Sequence, residues 1–137
     1  MIEGQWEGQW RPSDEDGDGA FHRKASVFRD TLPRELPEPG RYPLFVARPS
    51  TCAQRTPLTR PLGGLAAYFP IHFANELTDR SWRFESRGES PDGEEYLWEF
   101  YLRADPGYTG RVTVPVLWDA REQTIVNNES SEILAML

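Results

Sequence analysis

Residues 108–134 read Tyr108-Thr-Gly-Arg111-Val112-Thr113-Val114-Pro115-Val116-Leu117-Trp118-Asp119-Ala-Arg-Glu-Gln-Thr124-Ile125-Val126-Asn127-Asn128-Glu129-Ser130-Ser-Glu132-Ile133-Leu134. Val112, Val114, Val116 and Trp118 alternate with Thr113, Pro115 and Leu117, the period-two pattern of a strand rich in β-branched residues. The polar residues 119–122 suit a hairpin turn. Residues 124–126 read as a second short strand. Asn128, Glu129 and Ser130 then offer side chains that cap a helix, ahead of the apolar Ile133 and Leu134. The stretch is therefore a strand with an internal proline, a second strand, and a capped helix.

The rest of the chain has to complete this unit. With 137 residues there is enough chain for one core and not for two. Apolar residues make up 38% and aromatics 12%, which predicts a packed globule rather than disorder. The net charge of −7 argues against nucleic acid or an anionic membrane as partner. Lys24 is the only lysine among 15 basic residues, which fits either genomic base composition or a salty habitat. Cys52 is the only cysteine, so an internal disulfide and a cysteine-rich metal site are both excluded. No apolar run approaches the ~20 residues of a membrane helix. The N-terminus lacks the basic and apolar regions of a secretion signal, so the cytoplasm is the expected compartment and Asn128-Glu129-Ser130 reads as a chance glycosylation sequon.

Residues 1–20 show no helical or strand period and are expected to form a loose extension. Asp14, Asp16, Asp18 and Gly19 imitate the start of a calcium loop, but the position that requires a bidentate glutamate holds Ala25, so no metal is expected. Residues 21–32 read as a short helix or an arm, since Phe21, Ala25, Phe28 and Leu32 share one helical face. Pro33, Pro37 and Pro39-Gly40 follow. These breaks divide the chain into an extension, 1–40, and a compact domain, 41–137. Residues 41–47 form the expected first strand, with Pro43 confined to its start or to an edge. A helix is expected over 52–65, yet Pro57 and Pro61 fall inside it, and an interior proline costs ~3 kcal/mol. Residues 66–73 are the second strand, parallel to the first if the connection is a right-handed crossover. Residues 75–93 form a polar excursion that carries Trp82 and Phe84. Residues 94–103 predict a helix with Leu97, Phe100 and Tyr101 on its apolar face, closed by Asp105-Pro106-Gly107. Strand, helix, strand, helix, strand, strand, helix is the α/β order of a thioredoxin-like fold.

That fold places a thiol-handling group at the N-terminus of its first helix, where free N–H groups and the helix dipole stabilise a thiolate. The turn here is Ser50-Thr51-Cys52-Ala53. A proline ahead of the third strand's core is cis in this fold, and Pro115 holds the position. It leaves the backbone of Val114 open to pair with a peptide-like ligand. The start of the last helix, at Glu129 and Ser130, suits a carboxylate.

The run from Tyr108 through Val-Pro to Asn-Asn-Glu-Ser-Ser closely resembles the glutathionyl-hydroquinone reductases, the Xi-class glutathione transferases. The likeness extends to residues 96–106, Trp82 and Phe84, Gly40-Arg41-Tyr42, and Phe28-Arg29-Asp30, so it covers most of residues 21–137. It implies glutathione as co-substrate and a glutathionyl-aromatic compound as the molecule reduced. It places the γ-glutamyl carboxylate at Glu129 and Ser130, the cysteinyl backbone against Val114 beside Pro115, and the glycyl end near Trp82 and Arg111. Plain structural roles stand beside these: Trp82 as a loop aromatic over the core, Arg111 as a surface charge, Glu129 as a simple cap.

The chain departs from the family pattern in three places. Where the family carries Cys-Pro-Trp-Ala, alignment on Arg41-Tyr42 and Arg55-Thr56 sets Ser50 at the nucleophilic cysteine, and Cys52 falls two residues late. A serine hydroxyl attacks sulfur poorly and forms no mixed disulfide, although it can hydrogen-bond a thiolate. Pro57 and Pro61 interrupt the helix that should lower the thiol pKa. The sequence also ends before the family's all-helical second domain, and the face that domain would cover predicts self-association. Three functions remain: a glutathione-binding domain with transferase or reductase chemistry; a catalytically impaired paralogue that binds a thiol or a partner protein; and a redox protein acting through Cys52. The thiol itself is glutathione or a related low-molecular-weight thiol.

Overall fold

The computed structural model describes residues 1–7, 25–35, 37–50, 64–78, 81–85 and 90–137. The calcium-like run at Asp14, Cys52, and residues 52–63 of the expected helix with its two prolines lie outside the described residues.

Four strands form the central sheet: β1 (Leu44–Val46), β2 (Ile71–Phe73), β5 (Val116–Asp119) and β6 (Thr124–Asn127), in the spatial order β2-β1-β5-β6. β1 and β2 are parallel, with Phe45 opposite His72. β5 runs antiparallel to β1 with Phe45 opposite Val116, and β6 antiparallel to β5 with Asp119 opposite Thr124. This is the thioredoxin-like arrangement. Pro43 and Pro70 both stand just before their strands and contribute only carbonyls: Leu44 N–H donates to Pro70 O at 2.8 Å and Trp118 N–H to Pro43 O at 3.0 Å. Each proline is thereby spared the ladder donor it lacks.

β5 is buried along its whole length. Its period-two pattern sends side chains to both faces of the sheet. Val116 and Trp118 join Phe45, Ile125 and the helix α1 (Leu97–Ala104) on one face. Leu117 joins Leu44, Val46, Val126 and Ile133 of the helix α2 (Ser130–Met136) on the other. A strand covered on both faces reads as a nearly continuous apolar run, and Val-Leu-Trp is such a run. The ladder starts only at Val116, so residues 112–115 are irregular rather than part of the strand their alternation suggested.

α1 buries Leu97, Phe100 and Tyr101, at the spacing of one helical face. It starts three residues later than expected. Phe84 N–H donates to Glu95 O at 3.0 Å, and Arg83 bridges to Tyr96, so residues 95–96 are spent on strand-like pairing. The Glu99 carboxylate accepts the N–H of Tyr96 at 2.8 Å and of Glu95 at 3.0 Å, satisfying donors at the helix entrance.

Two expectations are corrected, and for residues 21–32 the choice between helix and arm is decided. Residues 75–93 are not only a polar excursion: β3 (Glu76–Thr78) and β4 (Ser81–Arg83) form an antiparallel hairpin with Leu77 opposite Trp82. Among the described residues of 21–32 there is no helix; they form an arm. Asp30 N–H donates to Val126 O at 2.9 Å and Asn128 N–H to Phe28 O at 3.3 Å, so the arm covers the open edge of β6. Residues 1–7 are not a loose end. Met1 is buried in the core, its amino group donates to Gly110 O at 3.1 Å, and Gly4 N–H donates to Tyr108 O at 3.1 Å.

Candidate functional site: the open end of the sheet

The strand directions gather the predicted residues. β1 ends beside the start of β5, and β6 ends beside the same start. Ser50, four residues past Val46, therefore leaves the sheet at the end where Val114-Pro115 enters it and where β6 delivers Glu129 and Ser130. Ser50 N–H closes a turn onto Ala47 O at 3.1 Å. The neighbouring Arg48 N–H donates to Asn75 Oδ1 at 2.9 Å, which ties this turn to the segment after β2.

The Val114–Pro115 peptide is cis, as expected. Pro115 is buried and Val114 half-buried. Among the described residues no protein group pairs with the N–H or C=O of Val114, so both are open to water or a ligand. The preceding Thr113 is held on both sides. Its carbonyl accepts the Tyr101 hydroxyl at 3.0 Å, and its N–H donates to the same oxygen at 3.3 Å.

The turn into α2 is built by a residue that sequence reasoning passed over. Asn127 is 0% exposed. Its Oδ1 accepts the Glu129 N–H at 2.7 Å, and its Nδ2 donates to Asp30 O at 3.1 Å and Glu132 Oε2 at 2.9 Å. The expected capping side chains do not cap. Glu129 occupies the N-cap position with extended backbone and makes no side-chain capping bond. Asn128 turns inward, donating to the Tyr101 hydroxyl at 3.0 Å and meeting the Ser26 hydroxyl. The N–H groups of Ser130 and Ser131 meet no protein acceptor among the described residues, as at any helix start. The doubled asparagine was the available signal: an Asx side chain can hold a backbone N–H two residues on.

Electrostatics hold this corner together. Glu132 accepts Arg29 and Asn127, and these hydrogen bonds, Arg29 first, set its carboxyl below the usual range. The same contact raises the Arg29 guanidinium. Burial pushes the Tyr101 hydroxyl upward, so it stays a neutral donor.

Trp82 and Arg111 sit less centrally. Trp82 is half-buried on β4 and packs on the core beside α1, in the hairpin that follows β2 from the same end of the sheet. Arg111 is exposed, three residues ahead of Val114, with its carbonyl accepting the Tyr108 hydroxyl at 2.8 Å. Among the described residues, Ser50, Val114, Pro115, Glu129 and Ser130 thus share one sheet end, and Trp82 and Arg111 belong to segments that adjoin it.

No family model matches the chain. Individual relatives do. The chain is 37% identical over 153 residues to glutathionyl-hydroquinone reductase YqjG of Escherichia coli, covering 99% of this chain and 46% of that protein. It is 38% identical over 143 residues to glutathionyl-hydroquinone reductase PcpF of Sphingobium chlorophenolicum, covering 100% of this chain and 45% of that protein. The glutathione-bound structure of YqjG superposes with a TM-score of 0.77 at 32% identity, over 99% of this chain and 44% of the other. The chain belongs to the glutathionyl-hydroquinone reductase family. It spans about half the length of the curated relatives it matches. Its fold is the glutathione transferase N-terminal fold, and the cis proline and the turn into α2 of this family member lie together at one end of its sheet. No described helix is long and apolar enough to cross a membrane.

Proposed function

We propose that this chain binds glutathione across the open sheet end and serves glutathionyl transfer, or the reduction of glutathionyl-aromatic substrates. The observation that carries the proposal is the pairing of two unspent backbone sites at that end: the N–H and C=O of Val114, and the N–H groups of Ser130 and Ser131. A tripeptide with a free carboxylate at one end needs both. The cysteinyl backbone pairs with Val114 beside Pro115. The γ-glutamyl carboxylate takes the Ser130 amide, while the Glu129 side chain attracts the neighbouring α-ammonium rather than the carboxylate, because like charges repel. Trp82 and Arg111 receive the glycyl end. Ser50, in the turn after β1, hydrogen-bonds the thiolate. The bound thiol is glutathione or a closely related one, the compartment is cytoplasmic, and copies of the chain self-associate.

A second function rests on Ser50 itself. With a hydroxyl where the family carries a nucleophilic thiol, the chain is a paralogue that holds glutathione without forming a mixed disulfide. Calorimetric titration with glutathione, followed by an assay of glutathionyl-hydroquinone reduction by wild type and Ser50→Cys, separates the two. Binding in both proteins with reduction only in Ser50→Cys supports a preserved pocket that lost its nucleophile. Reduction by the wild type returns Cys52 as the reacting group, with Cys52→Ala as the follow-up. Absence of binding in both overturns the proposal.

A further inference from the structure

The Tyr101 hydroxyl is saturated. A phenol has one proton to donate and two lone pairs to accept with. The proton goes to Thr113 O at 3.0 Å, and the oxygen accepts Thr113 N–H at 3.3 Å and Asn128 Nδ2 at 3.0 Å. Thr113 immediately precedes Val114, and Asn128 immediately precedes Glu129-Ser130. One oxygen thus joins the two backbone segments that face the open sheet end. The ring that carries it cannot drift: Tyr101 is 0% exposed, lies edge-on to Phe28 at 5.8 Å and tilts against Tyr108 at 5.0 Å. On the far side, Asn128 is backed by Ser26 of the arm, and α1 holds the tyrosine at a position where Leu97 and Phe100 anchor the same helix face.

We propose that Tyr101 is a positioning residue that holds the Val114 backbone and the Glu129–Ser130 turn at the separation glutathione spans. The proposal rests on the glutathione reading above for its ligand, but the coupling between the two segments is a property of the free protein. A ligand that bridges two segments binds more tightly when their spacing is set in advance, because less ordering remains to be done on binding.

The test uses the full chain. Tyr101→Phe keeps the ring and removes the hydroxyl. It is expected to remain folded, to weaken glutathione binding roughly tenfold, about the worth of one hydrogen bond, and to shift the amide resonances of both Val114 and Ser130 in the ligand-free protein. Asn128→Ala, on the other side of the oxygen, is expected to move the Val114 resonance as well. The double variant is then expected to lose less affinity than the two single losses added. Ile125→Val trims the same core at a residue outside both segments, and is expected to lower the melting temperature while glutathione affinity stays unchanged. Wild-type affinity in Tyr101→Phe, strictly additive losses, or resonance changes confined to one segment would each overturn the proposal. If wild type binds no glutathione, the ligand assignment falls, and the Val114 and Ser130 resonances alone decide the coupling. If Tyr101→Phe does not fold, Asn128→Ala carries the decision through the Val114 resonance.

Discussion

Asn127 holds the turn into α2 from inside the protein. Its amide is fully buried and makes three hydrogen bonds, to the turn, the arm and the first turn of α2. Removing it leaves the Glu129 N–H and the Asp30 carbonyl without the partners they have now. Asn127→Ala should cost about 2–3 kcal/mol of stability, read by urea unfolding, and should release the Glu129–Ser130 turn. Gly4 is a second single-residue constraint. Its φ of +76° lies in the left-handed region, and a Cβ there would meet Pro106 O at 2.0 Å. Gly4→Ala should lower stability by at least about 1 kcal/mol by lifting residues 1–7 off Tyr108, visible as a lower melting temperature. Neither residue stood out in the sequence. Asn127 fell between the expected strand over 124–126 and the expected cap at 128–130, and Gly4 within a featureless N-terminus; the distant groups they meet, Asp30 for Asn127 and Tyr108 for Gly4, lie about a hundred residues away along the chain.

At the scale of elements, α1 is the wall against which the sheet is built. Phe100 is buried against Phe45 at 4.5 Å, Trp118 at 4.9 Å and Phe84 at 5.9 Å between ring centroids. Phe100→Ala should destabilise by about 3–5 kcal/mol, measured by thermal or urea unfolding, and should loosen β1, β4 and β5 together. The spacing of Leu97, Phe100 and Tyr101 made this helix legible from the sequence. The hairpin of β3 and β4 was not, although Trp82 and Phe84 were in view: two three-residue strands are too short for an alternation to stand out from a polar segment. The arm was half legible. Its apolar spacing fitted a helix, but the unpaired edge of β6 captured its backbone instead.

Across the whole molecule, two carboxylates stand below their ordinary range for structural reasons. Burial works against Asp119, but it is outweighed by Arg41, which donates at 2.8 and 3.1 Å, and by the N–H groups of Arg121 and Glu122. Glu132 is lowered by Arg29 and Asn127. A carboxyl whose folded pKa is depressed contributes stability that is complete above its unfolded value, about 4, and that is lost as pH falls through the folded value. Unfolding midpoints should therefore hold steady from neutral pH down to about 5 and drop below about 4, and Asp119→Asn should flatten that drop. Concentration-dependent sedimentation is expected as well, from the self-association proposed above; a constant monomeric coefficient would rule it out.

The sequence by itself determined the thioredoxin-like fold, the cis proline at 115 and the family, because these rest on local period, turn chemistry and a long contiguous motif. Hydrophobic alternation and helical spacing are local properties, so they can be read one window at a time. Only the tertiary structure decided how the site is held: that Asn127 and not Glu129 organises the start of α2, that Asn128 turns inward, and that Tyr101 bonds to both flanking segments. The Asn127–Glu129 bond is local, but the contacts of Asn127 with Asp30 and of Tyr101 with Thr113 and Asn128 join residues 12 to 97 positions apart. Which partner a buried polar group finds depends on the packing of strands and helices around it, and that packing exists only once the chain has folded.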